Sequence, residues 1–288
     1  MSNTERALTL NRLGEVDGGH AAPKKPRKSL GVLGLFHSRL FGWSAVIALL
    51  VLWEWIASVA PSPGLPPPSR IWNSWMAEIT KGDLLAQLGE TMLAMLYGYA
   101  VAAVLGIALG IAMARVKVLY ALFEPIVELW RPIPSIIFIP VIILYAGLGL
   151  EMNVIVIVIA ATESVILNAY GGARSIPPAL LDTAATFRLT WWQTLREIVL
   201  PAAAPQIFVG LRLALAKSLV LAVGSGMIAG NSGIGFYVIN AQQTLDIAKM
   251  YAGAATVALT GYALNLLFLF IESRVVHWHA AQRGSAIV

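Results

Sequence analysis

Few residues in this 288-residue chain carry chemistry, and most of those lie inside or beside apolar runs. Glu163 stands midway along one such run, where an ionised carboxylate is costly and is ordinarily kept for a function or a partner. Its candidate partners are Arg131, Lys217 or a basic group on another chain. Two readings stand side by side: a structural ion pair or protonated acid, and a contact for something crossing the membrane. Arg131 and Lys217 could select an anion by charge, while Arg131 also fits a side chain snorkelling to the interface beside Glu124 and Glu128. Ser135, Ser164, Asn168, Ser218 and Ser225 could offer hydrogen bonds along a wet path, or spend them on carbonyls of their own helices.

Other chemistries are excluded by what is missing. With no cysteine there is no thiolate nucleophile, disulfide framework or Cys-ligated metal. No G-x-S-x-G elbow and no His/Asp/Glu cluster with metal spacing occurs, and His277 and His279, two apart, do not share a helix face. The G-x-x-x-x-G-K-[ST] phosphate cradle is absent too, so nucleotide hydrolysis must lie elsewhere and no cofactor is expected on this chain.

One stretch breaks the apolar pattern, LLDTAATFRLTWWQTLREIVLP from Leu180 to Pro201. Leu180, Leu181, Ala184, Phe187 and Leu195 fall near one side at helical spacing, and Asp182, Arg188 and Arg196 mark the polar side. Pro177 and Pro178 precede it and Pro201 closes it, which predicts a helix, a turn around Leu189 and Thr190, and a second helix from about Trp191. Periodicity leaves open whether the pair lies on the membrane surface or enters a partner's groove.

The elements that must position these residues are membrane helices. Composition is 58% hydrophobic and 12% charged, with mean hydropathy +0.75, far from the soluble norm. Apolar runs at Phe41 to Ala60, Thr91 to Ala114, Val154 to Gly172, Ile207 to Ile228 and Tyr251 to Ile271 are each long enough to span. The first is too long for a signal-peptide core and reads as a retained span. Gly98, Ala102, Gly106, Gly110 and Ala114 recur every fourth position, a ridge for close helix packing in the interior. Between Leu119 and Gly147, Pro125, Pro132, Pro134 and Pro140 predict a broken segment, an interfacial piece before Arg131 and a span after it. Six spans place both termini on one side, and charge says which: seven Lys/Arg up to Arg39, with Arg115, Lys117, Arg174, Arg188, Arg196, Arg274 and Arg283, face Arg70, Lys81 and Lys249. The positive-inside rule makes the first set cytoplasmic. Topology therefore accounts for the net charge of +5 without nucleic acid. Trp53, Trp55 and Trp278 suit aromatic belts. The expected organisation is a cytoplasmic tail over 1–38, a membrane domain over 39–275 with a cytoplasmic loop at 173–205, and a short cytoplasmic tail over 276–288.

The stretch resembles the coupling segment, or EAA loop, of bacterial ABC-importer permeases. Asp182, Thr183 and Ala184 stand at the Glu-Ala-Ala position, Arg188 at the Gly position, and Ile198, Leu200 and Pro201 at the closing Ile-x-Leu-Pro. LPPPSRIWNSW, RPIPSIIFIPVIILYAGLG, LNAYGGARSIPPALLDTA, GLRLALAKSLVLAV and GNSGIGFYV are similar to the subfamily importing nitrate, aliphatic sulfonates, taurine and related small anions. The resemblance implies an all-α, type I permease fold of about six spans in the bacterial inner membrane, working as a homodimer. It also implies two ATPase subunits that bind ATP and Mg, and a periplasmic binding protein. Coupling to the ATPase would fall to Asp182, Thr183, Ala184, Phe187, Arg188, Leu189, Thr190 and Leu195, with Trp191 and Trp192 as anchors to the permease or the lipid. Arg188 at a Gly position either reshapes the turn or adds a charged contact, because left-handed backbone costs a non-Gly residue about 1 kcal/mol or more. The segment from Gly230, GNSGIGFYVINAQQTLDIAKM, should be a short helix and turn that meets the binding protein or closes a gate, its glycines allowing tight turns. An ion-coupled secondary transporter or channel is the alternative; matching halves, often seen in such carriers, are not visible here.

Overall fold

The structure, a computed structural model, describes residues 39–277, with side chains from Ser44 onward. The tail over 1–38 and the residues from Trp278 on, His279 included, lie outside the described residues. Ten helices are described: α1 (Arg39–Val59), α2 (Pro68–Lys81), α3 (Leu84–Arg115), α4 (Lys117–Trp130), α5 (Ile139–Ala146, entered by a 3-10 turn at Ser135–Phe138), α6 (Leu150–Arg174), α7 (Pro178–Thr186), α8 (Trp191–Ala229), α9 (Gly233–Gln243) and α10 (Ile247–Val275). Two compact units divide between Leu52 and Trp53, inside α1. All the other helices belong to the second unit.

Four helices, α3, α6, α8 and α10, are long and apolar enough to cross a membrane. The expected span after Arg131 does not form as one straight helix. Ser135–Ala146 meets α4 at 92°, and only the bent pair together qualifies as a span. Twelve residues reach about 18 Å, short of a hydrocarbon core of about 30 Å. Pro132 and Pro134 supply no amide donor at the break, where Ile133 N–H bonds the Trp130 carbonyl. At 21 residues, or about 31 Å, α1 has the length of a further span.

At the centre of the bundle α6 packs against α3 on one side and α8 on the other. The small-residue ridge of α3 makes the first contact. Gly98, Ala102, Gly106 and Gly110 are all buried. A Cβ at Gly110 would lie 2.7 Å from the Ile166 carbonyl oxygen and 2.8 Å from the Ala169 Cβ, so backbone meets backbone there. Ile157, Ala161, Val165 and Ala169 fill the other half of this seam, each fully buried.

Beyond the far end of α8 the chain turns back. Gly233 has φ 90°, and the amides of Gly233 and Ile234 donate to Gln87 Oε1 and Thr91 Oγ1 of α3. This satisfies the first donors of α9, which wedges among α3, α8 and α10 as the expected short helix and turn. Of the three glycines expected to make turns, only Gly233 has positive φ; Gly230 has φ −76°, and Gly235 lets α9 cross the Gly226 backbone.

Candidate coupling turn and membrane cavity

The charged stretch forms the helix, turn and helix that its spacing predicts. Pro178 opens α7 at its first turn, where a missing N–H costs nothing. Two bonds close it: Leu189 N–H to the Ala184 carbonyl at 2.9 Å and Arg188 N–H to the Ala185 carbonyl at 3.0 Å. Together these are a Schellman motif, whose penultimate residue must be left-handed. Arg188 is, at φ 52°. Arginine therefore keeps the turn that glycine would make, and the turn is not reshaped. The next helix opens on a capping box. Thr190 Oγ1 accepts from Gln193 N–H at 3.3 Å, and Gln193 Oε1 accepts from Thr190 N–H at 2.8 Å. Cap and box stand two residues apart, so little freedom is left between α7 and α8.

What this turn presents differs in part from expectation. Phe187 is 73% exposed and Trp191 and Trp192 are 70% and 61% exposed, their rings 6.1 Å apart. Neither tryptophan anchors the loop to its own chain. Asp182, Thr183, Arg188 and Thr190 are also exposed, and Leu189 is half-buried. Ala184 is only 4% exposed, so it supplies packing rather than a surface for another subunit. Leu195 likewise packs inward on the cluster around Ile111, Ala169, Val199 and Ile207. Pro201 does not close the stretch. α8 runs through it, because the turn at Thr194–Val199 widens to π geometry, Leu200 N–H bonding Leu195 O, and so accommodates the proline ring.

The membrane-embedded residues fall into two groups. Arg131, Ser135, Glu163 and Lys217 line one cavity of about 490 Å³, with Ile136, Ala160 and Val220. Lys217 Nζ on α8 donates to Glu163 Oε2 on α6 at 2.9 Å, tying the two central helices. Arg131 pairs instead with Glu128 on its own helical segment, at 2.8 Å, both side chains half exposed. Ser164, Asn168, Ser218 and Ser225 do not join this cavity. Ser218 and Ser225 are buried and donate to the carbonyls of Ala214 and Leu221, one turn back. Ser164 is buried in the α6 seam. Asn168 donates to the Ser164 carbonyl and accepts from Gln206 Nε2 of α8 at 3.0 Å. Gln206 in turn lines a second cavity, of about 580 Å³, with Ser175, Leu180, Glu197, Pro201 and Pro205, beside the coupling turn. No spacing signal marked Gln206 or Glu197, because their cavity arises from the packing of α6, α7 and α8.

Charge sorts along the bundle. Arg115, Lys117, Arg174, Arg188, Arg196 and Arg274 sit at or beyond the helix ends on the α7 side, and Arg70, Lys81 and Lys249 at the α2 and α9 side. Lys249 there bonds Glu78 at 3.2 Å and lies over the Tyr237 ring, joining α2, α9 and α10.

Residues 102–277, more than half of the chain, match the family described as binding-protein-dependent transport system inner membrane component. The chain belongs to this family of ABC-importer permeases. It is a multi-pass membrane transport subunit without enzymatic activity, and its family works with a separate ATPase and a substrate-binding protein. The taurine transport system permease protein of Escherichia coli is 28% identical over 266 residues, covering 84% of this chain and 95% of that one. A nitrate import permease protein of Synechocystis is 29% identical over 241 residues, with 81% and 87% covered. Among solved structures, an inward-facing form of the MetNI methionine ABC transporter matches with TM-score 0.59 at 20% identity, covering 69% of this permease and 97% of that chain. An amino acid ABC transporter matches with TM-score 0.54 at 14% identity, covering 70% and 97%. These two likenesses speak for the fold.

Proposed function

We propose that two copies of this permease form the path for a small anion, nitrate or a sulfonate such as taurine, delivered by an extracytoplasmic binding protein, and that the turn between α7 and α8 docks the ATPase. The exposed turn carries this reading. Phe187, Arg188, Trp191 and Trp192 project from a segment fixed by the Schellman cap and the capping box, at the end of the bundle that collects the basic residues. That charge bias supports a cytoplasmic position for the turn and both termini. ATP and Mg²⁺ then belong to the docked ATPase. The relatives named for taurine and nitrate support a cargo with an anionic group, and so does the cavity, which Arg131 and Lys217 line. Ile136 and Val220 line that cavity and are exposed, which supports closure by a second copy.

The test is co-purification of an ABC ATPase of the same organism with this permease, and binding-protein-dependent uptake of taurine or nitrate by the complete transporter in proteoliposomes. Exchanging Phe187, Arg188, Trp191 and Trp192 for serine is expected to abolish both. Uptake by the permease alone, driven by an ion gradient, would refute the reading in favour of a secondary transporter.

A further inference from the structure

Glu163 lines two cavities, not one. On one side is the large space with Arg131 and Lys217. On the other is a pocket of about 50 Å³ walled by Val127, Trp130, Ile159, Thr162 and Ile166, room for a carboxylate head group or a water. Two polar atoms of that small pocket's residues, Trp130 Nε1 and Thr162 Oγ1, are buried and meet no hydrogen-bond partner among the described residues. A buried donor left unpaired costs about 1 to 3 kcal/mol, so such groups ordinarily belong to a state in which they are used. An indole N–H can only donate, and a hydroxyl can donate as readily as accept. Both therefore suit a carboxylate.

Charge points the same way. Arg131, Lys217 and Glu163 all line the large cavity. The Arg131 guanidinium is held by Glu128, which does not line the cavity, so Lys217 is the cation whose partner stands inside it. Lys217 carries three donors, and its side chain, 45% exposed, lines that space. An incoming monoanion can take over Lys217 only if Glu163 ceases to hold it, since two anions on one ammonium repel at close range.

We propose that Glu163 is a two-position counter-ion. With the cavity empty it holds Lys217. When the anionic head group of the cargo reaches Lys217, the Glu163 carboxylate turns to the small pocket and accepts from Trp130 Nε1 and Thr162 Oγ1. Glu163 thus sets how strongly the path holds an anion: it occupies Lys217 when there is no cargo and competes for it when there is. A path that must also release its cargo needs such a competitor. This inference rests on the anion-importer reading and assigns the roles inside its path.

Full-length permease with its ATPase, in nanodiscs and without binding protein, can be titrated with radiolabelled methanesulfonate over a gluconate background. Glu163→Gln, which is nearly isosteric, is expected to tighten binding about tenfold by removing the resident anion. Thr162→Val should weaken it several-fold by removing a donor of the alternative position. Lys217→Gln should abolish it, and Lys217→Arg should retain it. In infrared difference spectra, saturation should shift one carboxylate band that is missing in Glu163→Gln. Equal affinity of wild type and Glu163→Gln, a carboxylate band that does not move, or no binding by the wild type would overturn the proposal. Binding-protein-dependent uptake by the complete transporter separates the two levels. If uptake persists while the Glu163→Gln effect is absent, only the two-position counter-ion falls; if uptake is also absent, the importer reading falls with it.

Discussion

Arg188 allows the sharpest test of the coupling turn, because its backbone and its side chain make opposite predictions. The backbone is left-handed, at φ 52°, in a Schellman cap whose two bonds come from its own N–H and that of Leu189. Left-handed geometry costs an arginine about 1 kcal/mol relative to glycine. Relieving that cost should lower the open fraction of the turn about fivefold. Arg188→Gly should therefore slow amide hydrogen exchange at Leu189 by about fivefold. Arg188→Ala should not, because alanine keeps the strain. The side chain is exposed and forms no ion pair or hydrogen bond among the described residues. A strained residue with an unspent charge is what a contact on another subunit would leave behind in the isolated permease. The Gly variant should thus have a more stable turn yet bind its ATPase at least fivefold more weakly, with binding less sensitive to salt than in wild type. Arg188→Asn, neutral but tolerant of left-handed backbone, should behave like Arg188→Gly. Exchange by mass spectrometry and ATPase affinity by biolayer interferometry read the two effects separately. If Arg188→Gly binds the ATPase as tightly as wild type, the charged-contact argument is wrong.

Three further outcomes follow from the packing. Thr190→Ala removes the hydroxyl half of the capping box and should cost the start of α8 about 1 kcal/mol, seen as faster exchange at Trp192 and Gln193 with the span beyond unaffected. Ala184→Leu forces three extra carbons into a buried site and should lower the permease's thermal midpoint, by an overpacking cost of about 1 to 3 kcal/mol, before any question of ATPase binding arises. Gly110→Val should be worse than Ala114→Val in expression and thermal stability, since its Cβ meets the Ile166 carbonyl and the Ala169 Cβ while Ala114 already carries a Cβ at the seam's half-buried end.

Periodic features were legible in the sequence, and features made by long-range packing were not. The α3 ridge was visible because a spacing of four is a property of one helix, and the α7 turn because the prolines at its start mark a boundary locally, while the Thr190 and Gln193 capping box went unread. Pro201 misled for the complementary reason. A proline ordinarily ends a helix, but here a π turn, set by how Leu195 and Val199 pack against α3 and α6, absorbs it. The candidate path divided along the same line. Charged residues in apolar runs had to find partners, and Arg131, Glu163 and Lys217 share a cavity. Hydroxyls have a cheaper option in their own helix, which Ser218 and Ser225 take.

The uninterrupted α8 joins the two sites mechanically. Its first turn is fixed to α7 through Thr190 and Gln193, and Lys217 lies 26 residues along the same helix, about 39 Å away. Had Pro201 broken the helix, motion at the turn would dissipate at a hinge. With the π turn carrying the backbone through, a rotation of α8 at the coupling end is delivered to Lys217, while its partner Glu163 stays on α6, which is held to α3 along the glycine seam. The Lys217 and Glu163 contact thus joins the helix that begins at the turn to the central helix of the bundle, which packs closely on α3 and, at Gly172 and Gly210, on α8 as well. A rotation of about 10° about the long axis of α8 moves a lysine ammonium standing about 6 Å from the helix axis by about 1 Å, enough to lengthen a 2.9 Å bond past hydrogen-bonding range when the motion runs along it. Displacement of the turn is therefore expected to register at the Lys217 and Glu163 contact, two-thirds of the way along α8.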